Sequence, residues 1–243
     1  MIDTHAHLDM CDDPDGAVRR ARDAGVTQIL TVGTGPASWP AALELAARHE
    51  GVRAILGVHP HEAGRGVDGL AELLADERVA AVGETGLDFY RDRAPRVAQR
   101  AAFAAQLDLA AEAGKPVVIH SRAAEDELAG TLERFDGTVV LHCFSAPQLL
   151  PAALERGYYV SFAGNVTYPN ATDLRLAATQ VPADRILAET DAPYLAPQPQ
   201  RGRPNEPAYV VHTLAALAEA RGDDPPELER QIEENARRAF ALS

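Results

Sequence analysis

The chain has 243 residues, a net charge of −13 and 46% hydrophobic residues. The apolar share supplies a full core and excludes a disordered chain. The charge argues against nucleic-acid binding through a broad basic surface. No run approaches the ~20 apolar residues of a membrane span. No basic-then-apolar leader precedes the first strand signal, and Cys11 and Cys143 make no disulfide framework. A cytoplasmic enzyme is expected, with no membrane and no obligate protein partner.

Strand and helix signals alternate from the start. A strand is expected at about 1–4, then a helix after Pro14 that ends at Gly25. A strand follows at 27–32, a helix at 38–48, and a strand at 52–57 that runs into Val58-His59-Pro60-His61. A helix at 67–75 precedes a fourth strand ending at Glu84. The Ala-rich helix 95–113 stops at Gly114. Strand five reaches His120, a helix covers 123–134, and strand six reaches His142. A helix from Pro147 to about Gly157, a strand at 158–162, a helix at 170–178 and a last strand leading to Asp191 follow. A loop at 192–207 with five prolines precedes helices at 207–220 and 225–241. Eight βα units without a linker predict one (β/α)8 TIM barrel domain over 1–243, closed by right-handed crossovers.

The ends of these strands carry the chemistry. His5 and His7, one residue apart on an extended strand, project to the same side. Short apolar runs end at Glu84, His120, His142 and Asp191, the pattern of a catalytic site at the C-terminal face of a barrel. His5, His7, Glu84 and Asp191 suit one cation; Glu84, His120 and His142 suit a second, with Glu84 bridging. Mixed nitrogen and oxygen donors fit Zn, Mn, Fe or Co, and admit Mg. Two divalent metal ions would favour hydrolysis, with Asp191 orienting a water and taking its proton.

The segments Asp3-Thr4-His5-Ala6-His7-Leu8-Asp9, Gly57-Val58-His59-Pro60-His61, Gly83-Glu84-Thr85-Gly86-Leu87-Asp88-Phe89-Tyr90, Val118-Ile119-His120-Ser121-Arg122, Leu141-His142-Cys143-Phe144-Ser145, Glu189-Thr190-Asp191-Ala192-Pro193-Tyr194-Leu195 and Arg203-Pro204-Asn205-Glu206-Pro207 occur in order along the whole chain. Together they resemble the TatD-type metal-dependent deoxyribonucleases of the amidohydrolase superfamily. The resemblance implies that the metal ligands are His5, His7, Glu84, His120, His142 and Asp191, and that the substrate is nucleic acid, often single-stranded DNA cut from its 3′ end. Thr85 stands where many relatives have Ile. Other amidohydrolases bridge their metals with a carboxylated lysine; the single lysine, Lys115, precedes strand five and falls at the opposite face.

His59 and Arg122 are expected to contact substrate, the guanidinium clamping a phosphate; the alternative for Arg122 is an ion pair with Glu125 or Asp126. His61 and Asp88 face the same mouth. Glu189 shares a strand side with Asp191 and is expected to orient a ligand histidine. Asn205 and Glu206 are expected to fix the long loop by capping the helix that follows them, the alternative being a substrate contact. Cys143 reads as a small buried filler, the alternative being a thiolate ligand or nucleophile. Trp39, Tyr90 and Tyr194 either stack on a base or pack in the core or lid. Two other functions compete. An ester or amide hydrolase of the same architecture, acting for example on an aminoacyl-tRNA, would not need Arg122. A metal-binding protein without turnover would not need Asp191.

Overall fold

The structure, a computed structural model, describes residues 1–242. Its strands are β1 (Ile2–Ala6), β2 (Gln28–Gly33), β3 (Val52–Leu56), β4 (Val79–Asp88), β5 (Val117–Arg122), β6 (Val139–Leu141), β7 (Tyr159–Phe162) and β8 (Ile186–Ala188). They form one sheet in sequence order, each pairing in parallel with the next. Between them lie α1 (Pro14–Asp23), α2 (Trp39–Arg48), α3 (Leu70–Leu73), α4 (Arg96–Ala113), α5 (Glu125–Leu132), α6 (Leu150–Glu155) and α7 (Thr172–Gln180); α8 (Val210–Arg221) and α9 (Pro225–Phe240) follow β8. This is the expected (β/α)8 barrel.

The last seam closes differently from the other seven. Past the end of β8, the Asp191 N–H donates to His5 O at 2.9 Å and the His7 N–H to Ala192 O at 2.7 Å. Below, the Asp3 carboxylate accepts from the Thr190 N–H at 2.9 Å and from the Thr190 hydroxyl at 2.6 Å. The Thr4 hydroxyl donates to Ala188 O at 3.1 Å.

Strand alternation divides the apolar residues into two layers. Ile2, Leu30, Ile55, Ala81, Val118, Val140, Tyr159 and Leu187, at least one from every strand, pack together inside the barrel with Ala236, Ala239 and Phe240 of α9. The alternate residues, such as Ile29, Leu56, Val82, Ile119 and Val160, pack outward against Trp39, Phe103, Leu128, Leu217 and others on the helices. Trp39 is therefore a core residue, its indole N–H donating to Gly57 O at 2.8 Å.

Three elements differ from the sequence reading. The helix expected at 67–75 shrinks to α3, because Gly66 and Gly69 adopt positive φ and a 3-10 turn at Pro60–Arg65 takes up the preceding chain. Strand β4 runs past Glu84 to Asp88, and β5 past His120 to Arg122. The extension depends on Gly86, at φ +133, where an added Cβ would sit 2.1 Å from His120 O. The lysine lies where expected: Lys115 Nζ donates to Val79 O at the opposite end of β4 from Glu84.

Candidate metal centre

Plain alternation carries the inward series of four strands into the mouth. Ile55 is followed at even steps by His59, Val118 by His120, Val140 by His142, and Leu187 by Glu189 and Asp191. On β1 and β4 the same count fails, since Ile2 and His5, like Ala81 and Glu84, are three apart. Both strands have a register shift at that place, between Asp3 and Ala6 and between Val82 and Thr85. One extra residue moves every later side chain to the other face. That is how His5 and Glu84 come to face inward. On β4 the irregularity needs small residues: a Cβ on Gly57 would lie 2.6 Å from the Gly83 carbonyl carbon.

Glu84 is the centre of the cluster. Its Oε2 faces His5 Nε2 at 3.6 Å and His7 Nε2 at 3.9 Å. Its Oε1 faces His120 Nδ1 at 2.7 Å, His142 Nε2 at 3.3 Å and His59 Nε2 at 3.4 Å. Asp191 Oδ1 lies 3.3 Å from His7 Nε2 and 3.9 Å from His5 Nε2. Four triplets of donor atoms are compact enough to hold a cation: His5–His7–Glu84, His59–Glu84–His120, His5–His142–Glu189 and His142–Cys143–Asp191. The six residues expected as ligands are thus brought together, and His59 joins them.

The donor chemistry fits a metal. His5 is fully buried, and neither of its ring nitrogens has a hydrogen-bond partner among the described residues. Such an orphan costs about 1–3 kcal/mol, and a cation would satisfy it. The 3.6–3.9 Å gaps around His5 are too long for hydrogen bonds. They are close to the ~3.4 Å separating two ligand atoms that each sit ~2.1 Å from one tetrahedral ion.

The charges interlock. Burial alone would push the Glu84 carboxyl up; the charges of His59 and His142, with hydrogen bonds from His120 and His142, outweigh it and hold Glu84 well below the carboxylate range. Burial would likewise lower His142, but Glu189 and Glu84 raise it well above an ordinary histidine. His7 is raised by Asp191 against its burial, and His120 by Asp88 and Glu84 against its own. His5 is lowered by burial and by the neighbouring His142, whose ring stacks 3.7 Å away.

A further layer of side chains fixes the rings. Glu189 Oε1 lies 2.7 Å from His142 Nδ1 and accepts from the Cys143 N–H at 2.8 Å; its Oε2 accepts from the Ser161 hydroxyl at 2.6 Å. That leaves His142 Nε2 toward Glu84. Asp88 is fully buried, with Oδ2 2.8 Å from His61 Nε2 and 3.3 Å from His120 Nε2. Two buried glutamines of α4 hold the strand ends beneath: Gln99 brackets the Asp88 backbone, and Gln106 brackets Val58. The sequence reading missed both; their only signal is two amides seven residues apart on an Ala-rich helix.

Other expected residues sort themselves by contact. His59 Nδ1 accepts the His61 N–H at 3.0 Å. In the neutral ring the proton then resides on Nε2, which points a donor at Glu84 and the mouth. Arg122 pairs with neither Glu125 nor Asp126; its guanidinium lies 4.3 Å over the Tyr90 ring. Asn205 caps no helix: its amide N–H groups donate to Thr190 O and Tyr194 O, tying the proline-rich loop to the end of β8. Glu206 instead pairs with Arg20 at 2.6 Å. Cys143 lines the cavity, which is about 660 Å³, together with Arg91, Arg93, Arg122, Asn165 and Tyr194.

The family described as TatD related DNase matches residues 2–241. The chain belongs to this family. A Mycobacterium tuberculosis relative named as the uncharacterized metal-dependent hydrolase TatD is 39% identical over all of this chain and 98% of its own length. The 3′-5′ ssDNA/RNA exonuclease TatD of Erwinia billingiae is 40% identical, covering 95% of this chain and 94% of its own. Among solved structures, the TatD homologue YjjV of Escherichia coli superposes with a TM-score of 0.93 at 32% identity, covering 100% and 98% of the two chains. The TatD-family chain is accordingly a metal-dependent hydrolase on an amidohydrolase-type barrel, with histidine and carboxylate clusters able to bind metal. No helix among the described residues is long and apolar enough to cross a membrane.

Proposed function

We propose that this TatD-family hydrolase is a 3′-5′ exonuclease of single-stranded nucleic acid with a dinuclear centre. The reading rests above all on Glu84, whose two oxygens address two separate sets of imidazoles. In it, His5, His7, Glu84 and Asp191 hold one divalent cation and Glu84, His120 and His142 a second. Such ions, when bound, lower the pKa of water and neutralise charge on a phosphate. Polarity and substrate follow the named activity of the Erwinia relative.

The chain's own groups supply the rest. Asp191, held as a carboxylate because the hydrogen bond and charge of His7 outweigh its burial, accepts the proton of the attacking water. His59, with its proton on Nε2, donates to a phosphate oxygen. Arg122, exposed and free of any carboxylate among the described residues, clamps the phosphate and favours this reading over an ester or amide substrate. Glu189 keeps the His142 ring in place from behind.

An end-labelled single-stranded oligonucleotide, incubated with metal-stripped protein to which Mg, Mn, Co or Zn is returned singly, tests this. A metal-dependent ladder shortening from the 3′ end, absent in Asp191→Asn, is expected. No cleavage with any metal sinks the reading and moves the weight to ester or amide substrates.

A further inference from the structure

We propose that Tyr90, Arg91, Arg93 and Arg122 form a track that holds the phosphates and one base of a single strand beyond the nucleotide being removed. The proposal rests on the nuclease reading and extends it: the preferred substrate is an oligonucleotide of several residues rather than an isolated diester.

The charge distribution carries the argument. A body of net charge −13 repels a polyanion, so a strand needs a local positive seat. Elsewhere the arginines are commonly spent on carboxylates, as in Arg20–Glu206, Arg48–Asp15 and Arg100–Glu127. Arg91, Arg93 and Arg122 are different. All three are exposed, all line the mouth, and none has a carboxylate partner among the described residues. Of the acids beside them, Asp92 pairs with Arg96, and Glu125 accepts the Ala123 N–H.

Tyr90 supplies the apolar part. Its side chain is one of the few large hydrophobic groups exposed, at 67%, and Arg122 covers one face of the ring. The other face is open to a base, and a tyrosine backed by a guanidinium stacks on any base without reading sequence.

The track is not a loose loop. Asp88 Oδ1 accepts the backbone N–H groups of Tyr90 at 3.1 Å and Arg91 at 2.8 Å, while its Oδ2 faces His61 and His120. Gln99 of α4 holds the Asp88 backbone and donates to Ala94 O at the far end of the same loop. One buried carboxylate therefore sets the distance between the track and the metal centre.

The test compares kcat/KM for a single-stranded decanucleotide and a dinucleotide, with the manganese-loaded enzyme. The wild type is expected to prefer the decamer by about 10-fold or more, since base stacking on an aromatic alone is worth about that. Arg91→Gln with Arg93→Gln should cut the preference several-fold through KM and flatten the salt dependence of the decamer reaction by about 0.7 per arginine. Tyr90→Leu should lower the preference with the salt slope kept. These side chains make no partner bonds the fold needs, and a thermal melt verifies folding; the reversal Arg93→Glu should weaken the decamer further. A preference that survives all the variants, or is near unity in the wild type, overturns the track alone. Failure of the wild type to cut either length overturns the nuclease reading and the track with it.

Discussion

At one end of the barrel Phe240, Ala236 and Ala239 pack with Ile2, Leu30 and Leu187; toward the other the same strands carry or lead into His5, Glu84, His120 and His142. At the base, Asn235 donates to Ala183 O and Ile186 O, and Lys115 to Val79 O. At the mouth His5 has no hydrogen-bond partner among the described residues, and His120 and His142 each lie between two carboxylates. One end lowers the energy of the fold, and the other is kept poised for what it will bind.

That contrast can be broken first at its extremes. Asp191→Asn should reduce phosphodiester hydrolysis about 10³-fold or more, the scale of losing a general base. The melting midpoint of the ion-free protein should move by only about 3 °C; a large drop in calorimetry would make Asp191 a structural residue. Phe240→Ala should do the reverse. Emptying that site costs about 3–5 kcal/mol, read as a midpoint about 10 °C lower, with the rate per folded molecule at low temperature unchanged. A loss of rate there would show that the two ends are coupled.

The next two sharpen the comparison. Glu189→Gln keeps the shape behind His142 but removes its charge, and Mn binding by calorimetry should weaken about 10–100-fold. Undiminished affinity would leave Glu189 a packing residue. The raised histidines make the ion-free mouth sensitive to pH. Because His142 lies well above 6.5, its contribution to folding is complete below that value and is lost as pH rises through the raised one. The ion-free midpoint should therefore fall on going alkaline, and metal loading near pH 7 should release protons to a dye in unbuffered solution. Loading without proton release contradicts the charge arrangement described.

The smallest effect belongs to the base. Hydrogen bonds from the Arg78 side chain and backbone hold Asp76 at about 2, from 3.8. Its contribution is present above 3.8 and fades as pH falls toward 2. Being largely exposed, the pair contributes little, so Asp76→Asn should shift the neutral-pH midpoint by about 3 °C or less. A larger shift would mean that the turn into β4 matters more than its single ion pair implies.

Much of this was legible because buried strands read as apolar runs, and four of them keep strict alternation into His59, His120, His142 and Asp191. Other parts were hidden for physical reasons. The turn of β1 and β4 that brings His5 and Glu84 inward depends on an extra residue that pattern does not reveal, though His-x-His and Gly-Glu-Thr-Gly mark the spots. Thr85-Gly86-Leu87-Asp88 is too mixed to read as strand; it pairs because Gly86 admits His120 O. The proton on His59 is fixed by a backbone N–H two residues on, and the Arg122–Tyr90 stack joins the end of β5 to the loop after β4. Neither follows from spacing.

The closing seam of the barrel also has a meaning in time. Asp191 is tied through its backbone to His5, so the two ends of the cluster come from the first strand and from the residues just past the last. A chain made only as far as β8 has five of the six clustered residues but neither the residues that bond to His5 and His7 across the closing seam nor α9. The donor set is assembled only when the ring of strands is closed. A chain that stops before Asp191 therefore lacks one donor of the set and the backbone bond that seats His5 beside it.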